Sequence, residues 1–208
     1  MRLSKERKSH WEQVYANKVP TEVSWYQPVP EDSLVFIEST GVGHSDAIID
    51  AGGGASTLVD NLVNTGYSDL TVLDISRAAL ERSRERLGSK AGKVSWIESD
   101  VTEFEPERQY VLWHDRADFH FLTDANDRRL YRNVVISALQ PGGHLVMATF
   151  GPEGPLKCSG LEICRYDAEQ LQREIGSDFT LRSHTIERHQ TPSGSSQQFL
   201  FAWFQFAN

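Results

Sequence analysis

The stretch Ile48-Ile49-Asp50-Ala51-Gly52-Gly53-Gly54-Ala55-Ser56, followed about twenty residues later by Leu70-Thr71-Val72-Leu73-Asp74, constrains this chain more than any other feature. An apolar run ending in an acid, three glycines, a helix start and a second apolar run ending in an acid describe one β-loop-α-β unit built around a nucleoside. Glycines let the backbone turn off the first strand and approach a ligand with no Cβ in the way. Ser56 or Thr57 can cap the helix that follows. Asp74, at the carboxyl end of the second strand, is placed to accept both hydroxyls of a ribose.

A dinucleotide site is the rival, but its G-x-G-x-x-G fingerprint would need a third glycine where Thr57 stands. Asp50 also sets a negative charge where a pyrophosphate is repelled and a cationic amino-acid group is welcome. A nucleoside that carries a cation in place of phosphates is S-adenosylmethionine. Here the chain resembles the class I S-adenosylmethionine-dependent methyltransferases. Their glycine motif looks like Asp50 to Gly54, their ribose acid like Asp74, their adenine-edge acid like Asp100 in Glu98-Ser99-Asp100-Val101, and their turn into the fifth strand like Leu139-Gln140-Pro141-Gly142-Gly143. The resemblance implies cofactor contacts at Asp50, Gly52, Gly53, Gly54, Asp74 with its neighbour Ile75, and Asp100 with its neighbour Val101. It also implies an α/β Rossmann-like sheet of parallel strands flanked by helices and closed by a C-terminal antiparallel hairpin.

The residues agree with that architecture. Strands are predicted near 46 to 50, 69 to 74, 93 to 98, 109 to 114 and 143 to 150, and helices near 56 to 65, 76 to 87, 124 to 139 and 167 to 175. Asp167 with Gln170 forms a capping-box pattern and Gly176 ends that helix. Phe179 to Arg188 and Gln198 to Phe206 read as two strands joined by the turn-rich Thr191 to Ser196. With 208 residues, the chain suits one domain over 1–208, residues 1–45 forming an N-terminal cap and 46–208 the core.

Several function classes are disfavoured. No apolar stretch approaches the roughly 20 residues that span a bilayer, and the basic run Met1 to Lys8 is not followed by a signal-peptide core. Cys158 and Cys164 lack metal-site spacing and are too few for a disulfide framework, so no metal and a reducing cytoplasm are expected. The net charge of −8 argues against nucleic acid. The arginines of the helix Ser76 to Gly88 alternate with glutamates and read as a solvated face.

Three segments are candidates for the walls around the methyl. The first is His10 to Tyr15 with Val23-Ser24-Trp25-Tyr26, whose aromatic groups suit a lid over the sulfonium, Tyr15, Trp25 and Tyr26 foremost. Plain packing onto the sheet is the other reading. The second is Trp113-His114-Asp115-Arg116-Ala117-Asp118-Phe119-His120, just past the fourth strand, where ligands of open α/β sheets bind. Class I enzymes commonly carry an acid here, and Asp115 matches it. Arg116 and His120 are the further catalytic candidates, His114 is assigned to the cofactor, and Phe119 to the substrate. The third is the loop Gly151 to Leu161, where Lys157 would lower the thiol pKa of Cys158 and both would face substrate, a packed and inert Cys158 being the other reading.

A looser similarity, through Trp11 to Tyr15 and Glu22 to Tyr26, links the chain to protein-lysine methyltransferases of the citrate synthase and elongation factor type. A comparable one links it to thiopurine and tellurite-resistance enzymes. The expectation is a monomeric enzyme that methylates a small-molecule nucleophile, a thiol or other soft atom among them. A protein lysine is the alternative, and a non-catalytic nucleoside-binding module is the alternative of another class.

Overall fold

The structure, a computed structural model, describes residues 2–207. Met1 and Asn208, the ends of the expected domain, lie outside the described residues. Seven strands form one sheet in the order β3-β2-β1-β4-β5-β9-β8. β1 (Ile48–Ala51), β2 (Leu70–Asp74), β3 (Val94–Glu98), β4 (Tyr110–Arg116) and β5 (Leu139–Phe150) run parallel, and β9 (Ser196–Phe206) is antiparallel between β5 and β8 (Phe179–Gln190). β1 and β2 are buried at every position, as their largely apolar sequences require of strands covered on both faces. The chain order reverses between β1 and β4, so their carboxyl ends open a crevice where ligands of such sheets bind.

The helices follow local signals. α3 (Leu58–Thr65) stops at Gly66 with φ +101°, and α4 (Arg77–Leu87) starts where the Ser76 hydroxyl accepts from the Ala79 N–H. α5 (Ala125–Ala138) buries Tyr131, Val134, Val135 and Ala138 against the sheet. α6 (Ala168–Ile175) has the capping box read from Asp167 and Gln170. At α3 the capping expectation needs amending. Ser56 Oγ accepts from the Leu58 N–H, whereas the Thr57 hydroxyl donates to the Gln27 carbonyl at 2.8 Å and ties down the N-terminal segment.

Two helices carry no clear sequence signal. α1 (Arg2–Asn17) is polar on most of its surface, and α2 (Glu31–Ser39) holds Leu34, Val35, Phe36 and Ile37 in one run that hides a helical period. α1 docks through Glu12, whose carboxylate accepts from the Arg77 and Ala78 N–H groups at the start of α4. The loop after β5 is also more ordered than its glycines suggest. β6 (Lys157–Cys158) and β7 (Leu161–Glu162) form a short hairpin, with Ser159 and Gly160 both at positive φ as a type I′ turn demands.

Candidate active site

The glycine loop clears room for carboxylates. A Cβ on Gly53 would overlap Asp50 Oδ2, one on Gly54 would overlap Asp74 Oδ2, and one on Gly52 would come 2.6 Å from the Asp118 Cβ. α4 fixes the loop from behind. Ser83 Oγ donates to the Gly54 carbonyl at 2.6 Å, and Arg86 donates to the carbonyls of Ala55 and Ser56 while pairing with Asp60. Arg82 reaches the Lys18 carbonyl. Two arginines read as a solvated face therefore clamp the loop and the N-terminal segment. Side-chain direction, invisible in a charge pattern, decides this.

Above the loop lies a cavity of about 1140 Å³, open mouth included, at the upper end of small-molecule sites. Its walls include Asp50, Gly52, Gly53, Asp74, Ile75, Asp100, Val101 and His114 from the sheet, Tyr15, Trp25 and Tyr26 from the N-terminal segment, and Arg116. Trp11 of the expected lid segment lines it too, as do Arg7 and Asp118, neither of which was singled out in the sequence. Asp118 was discoverable from the same loop as Asp115; Arg7 belongs to a helix whose docking no local pattern encodes.

Three acids stand in distinct settings. Parallel register places Asp50 beside His114, and His114 Nδ1 lies 2.7 Å from Asp50 Oδ1 while its Nε2 lies 3.0 Å from Ser33 Oγ on α2. That chain leaves Asp50 Oδ2 buried with no hydrogen-bond partner among the described residues. Burial, reinforced by Asp50 and Glu12, pushes the Asp74 carboxyl up to about 7, although the Ser76 N–H bonds its Oδ1 at 2.7 Å. Asp100 accepts from the Thr102 N–H and hydroxyl, and Arg7 Nη2 stands 3.0 Å from its Oδ2. Trp11 and Trp25 meet edge to face at 5.9 Å, with Tyr15 against both, and form an aromatic roof.

Other expectations fare differently. Asp115 is fully buried and does not line the cavity. Its carboxylate accepts from the Tyr131 hydroxyl at 2.7 Å and from the N–H groups of Asp118 and Phe119, an arrangement that shapes the turn after β4. The catalytic acid expected there is thus turned inward, and Asp118 is the carboxylate of this turn that faces the cavity. Phe119 is packed in the core against Tyr131 and Tyr166 and reaches no cavity wall. Lys157 pairs with Glu162, and Cys158 is buried 3.9 Å from Ser24 Oγ. Burial raises the Cys158 thiol instead of Lys157 lowering it.

Arg116 donates to the Trp25 carbonyl at 2.9 Å and lies over the Phe199 ring at 5.3 Å. His120 is fully buried off the cavity wall, stacked on Phe150 at 4.4 Å. Between them, Ala117 adopts φ +68°, a strained conformation for a residue with a Cβ.

The mostly parallel sheet with its C-terminal antiparallel pair is the Rossmann-like fold of known methyltransferase structures, as expected from the sequence. A family model described as "Methyltransferase domain" matches residues 48–143. The chain is 25% identical over 195 residues to the eEF1A lysine and N-terminal methyltransferase of Bos taurus, covering 90% of this chain and 25% of that protein. The N-methyltransferase NodS from Bradyrhizobium japonicum, in complex with S-adenosyl-L-homocysteine, superposes with a TM-score of 0.72 at 19% identity, over 95% of this chain and 98% of that one. A structure reported for the conversion of a disulfide bond into a thioacetal group during echinomycin biosynthesis gives 0.77 at 16% identity, over 96% and 93%. The chain spans a quarter to a third of the length of the first curated relatives it matches. Among the described residues no helix is long and apolar enough to cross a membrane.

Proposed function

We propose that this protein transfers a methyl group from S-adenosylmethionine to a small-molecule nucleophile. The observation that carries this reading is the buried, unpartnered Asp50 Oδ2 at the floor of an aromatic-roofed cavity. A carboxylate oxygen held there without a donor suits the ammonium group of a cationic nucleoside. Asp74 would hold the ribose hydroxyls, Asp100 and Val101 the adenine edge, and Ile75 one face of the base. Trp11, Tyr15 and Trp25 would face the sulfonium, where aromatic faces favour a cation. When bound, the cofactor supplies an activated methyl whose carbon–sulfur bond breaks with its electron pair left on sulfur.

This chain's residues then have three tasks: to orient the acceptor, to exclude water, and to keep the nucleophile's lone pair free. The N-terminal segment serves the second as a cap over the cavity. Two free cysteines accord with a reducing cytoplasm. The matched relative that acts on eEF1A keeps a protein acceptor as the second reading.

Calorimetric titration with S-adenosylmethionine tests the cofactor site directly. Absence of binding sinks the reading and revives a non-catalytic module. Labelled methyl transfer into a lysate then separates acceptors: label in small molecules supports the reading, and a single labelled protein band replaces it with the protein-acceptor one.

A further inference from the structure

Each glycine of the loop abuts a different carboxylate. Gly53 has no room for a Cβ beside Asp50, Gly54 none beside Asp74, and Gly52 none beside Asp118, which reaches over the loop from the turn after β4. Asp50 and Asp74 are engaged, by His114 and by the Ser76 N–H. Asp118 lines the cavity, and among the described residues its carboxylate has neither a hydrogen-bond donor nor an ion-pair partner. Arg7, the cation that acts on it, is already taken by Asp100 and Asp127. Burial, with the charges of Asp115 on β4, Asp74 on β2 and Asp100 past β3, holds the Asp118 carboxyl well above the usual carboxylate range. Tyr15 of α1 roofs the same part of the cavity: burial raises its hydroxyl, and Asp74 and Asp118 both add to the shift.

A carboxylate that faces a cavity among other carboxylates is short of positive charge. A cation in the cavity offsets the repulsion and draws the carboxyl to its ionised form. In the cofactor pose, the ammonium falls to Asp50 and the ribose hydroxyls to Asp74, and the sulfonium belongs to the chain that joins them. Asp118 lies over the loop that leads from Asp50 to the side of Asp74, below the aromatic roof. A sulfonium held there would meet ring faces on one side and a carboxylate on the other.

Resting on the methyl-transfer reading, we propose that Asp118 is the countercharge of the sulfonium and shifts the preference of the site from the neutral product toward the charged methyl donor. Once the methyl has left, the sulfur is neutral and Asp118 again faces Asp74 and Asp100 with no cation between them. The same carboxylate that favours entry of the donor therefore favours departure of the product.

The test is a ratio of affinities, so it stands apart from turnover. S-adenosylmethionine and S-adenosyl-L-homocysteine share their ammonium, carboxylate, ribose and adenine, and differ in the methyl and the charge on sulfur. Both are titrated by calorimetry into wild type, Asp118→Asn and Asp100→Asn. Asp118→Asn is expected to lower the ratio of S-adenosylmethionine to S-adenosyl-L-homocysteine affinity about tenfold, through weaker binding of the charged form. Asp100→Asn, at the adenine edge common to both, is expected to weaken them alike and to keep the ratio within about twofold. Melting curves verify folding, and Asp118→Ala is expected to give the same change should the Asn variant prove unstable. An unchanged ratio in Asp118→Asn overturns the proposal. An equal fall in the Asp118 and Asp100 variants overturns it too, because the effect then belongs to the summed charge of the cavity. Failure of both ligands to bind wild-type protein instead sinks the methyl-transfer reading itself.

Discussion

The cavity floor and the buried cluster behind it around Arg116 and His120 are built by different rules. On the floor, Asp50 and Asp74 lie at the carboxyl ends of β1 and β2 and Asp100 two residues past β3, and each is steadied by neighbours near in sequence or in strand register: the Ser76 N–H, the Thr102 N–H and hydroxyl, and His114 beside Asp50. Past β4, Arg116, His120, Trp25, Phe150 and Phe199 come from four separate stretches of chain, and Arg116 Nε and both His120 ring nitrogens are left without partners among the described residues. A motif of residues near in sequence can be built by local rules, whereas the second cluster is made of side chains that only the finished fold brings together.

The contrast breaks most readily at the loop. Gly53→Val places a branched side chain against Asp50 Oδ2 and the Asp50 carbonyl 3.1 Å from the added Cβ. Cofactor affinity is expected to fall at least about a hundredfold, or roughly 3 kcal/mol, in a calorimetric titration. Retained affinity would mean that the loop does not face the ligand.

Asp115 sharpens the distinction between a structural and a catalytic acid. Replacing it with Ala strips the Tyr131 hydroxyl and two backbone N–H groups of their acceptor in a fully buried site. We expect a loss of about 2–4 kcal/mol in denaturant unfolding, the sum of several buried unsatisfied donors. Asp118→Asn, by contrast, is expected to leave stability within about 1 kcal/mol, because that side chain faces the cavity. Equal losses in both variants would erase the difference between inward and outward acids.

That difference also shows how far sequence reading reaches. The glycine loop, the acids at or just past the ends of β1, β2 and β3, and the run of helix-separated strands closed by a hairpin were legible because period, turn chemistry and acid position are local. Asp115 and Asp118 sit three residues apart on a non-helical turn, so which of them points inward depends on Tyr131 from α5. Arg7 and Ser33 were invisible for a related reason. They ride on α1 and α2, whose surfaces become meaningful only once docked on the sheet. Lys157 and Cys158 misled because adjacency in sequence was read as proximity of side chains, and alternation along β6 sends them to opposite sides.

Asp74 gives a prediction in pH. Its carboxyl is raised to about 7 in the folded protein, above its unfolded value, so the folded state holds the proton more tightly. The associated stability is fully present below the unfolded pKa near 4 and is lost as pH rises through about 7. Asp74→Asn keeps an oxygen for the Ser76 N–H and removes the charge. The cofactor-free variant should exceed wild type in stability at pH 8, by of the order of 1–2 kcal/mol, with no such excess at pH 3.5. A pH-independent difference would show that the folded carboxyl titrates normally.

The smallest expected effect belongs to Arg7, where the two rules meet. Its guanidinium lies 3.0 Å from both Asp100 Oδ2 and Asp127 Oδ2, with 22% of the side chain exposed. In the proposed cofactor pose an adenine amino group reaching Asp100 would also be a donor, so Arg7 would compete for the carboxylate even as it holds α1 over the cavity. Removing it frees the acceptor and loosens the cover, two effects of opposite sign. Partly exposed ion pairs are worth about 0–1 kcal/mol, so Arg7→Ala should change cofactor affinity by less than about fivefold in either direction. The dissociation rate is the sharper readout. A cover held by Arg7 predicts faster release with compensating faster association in stopped-flow traces, and unchanged rates would mean that α1 is fixed by Glu12 at the start of α4 alone.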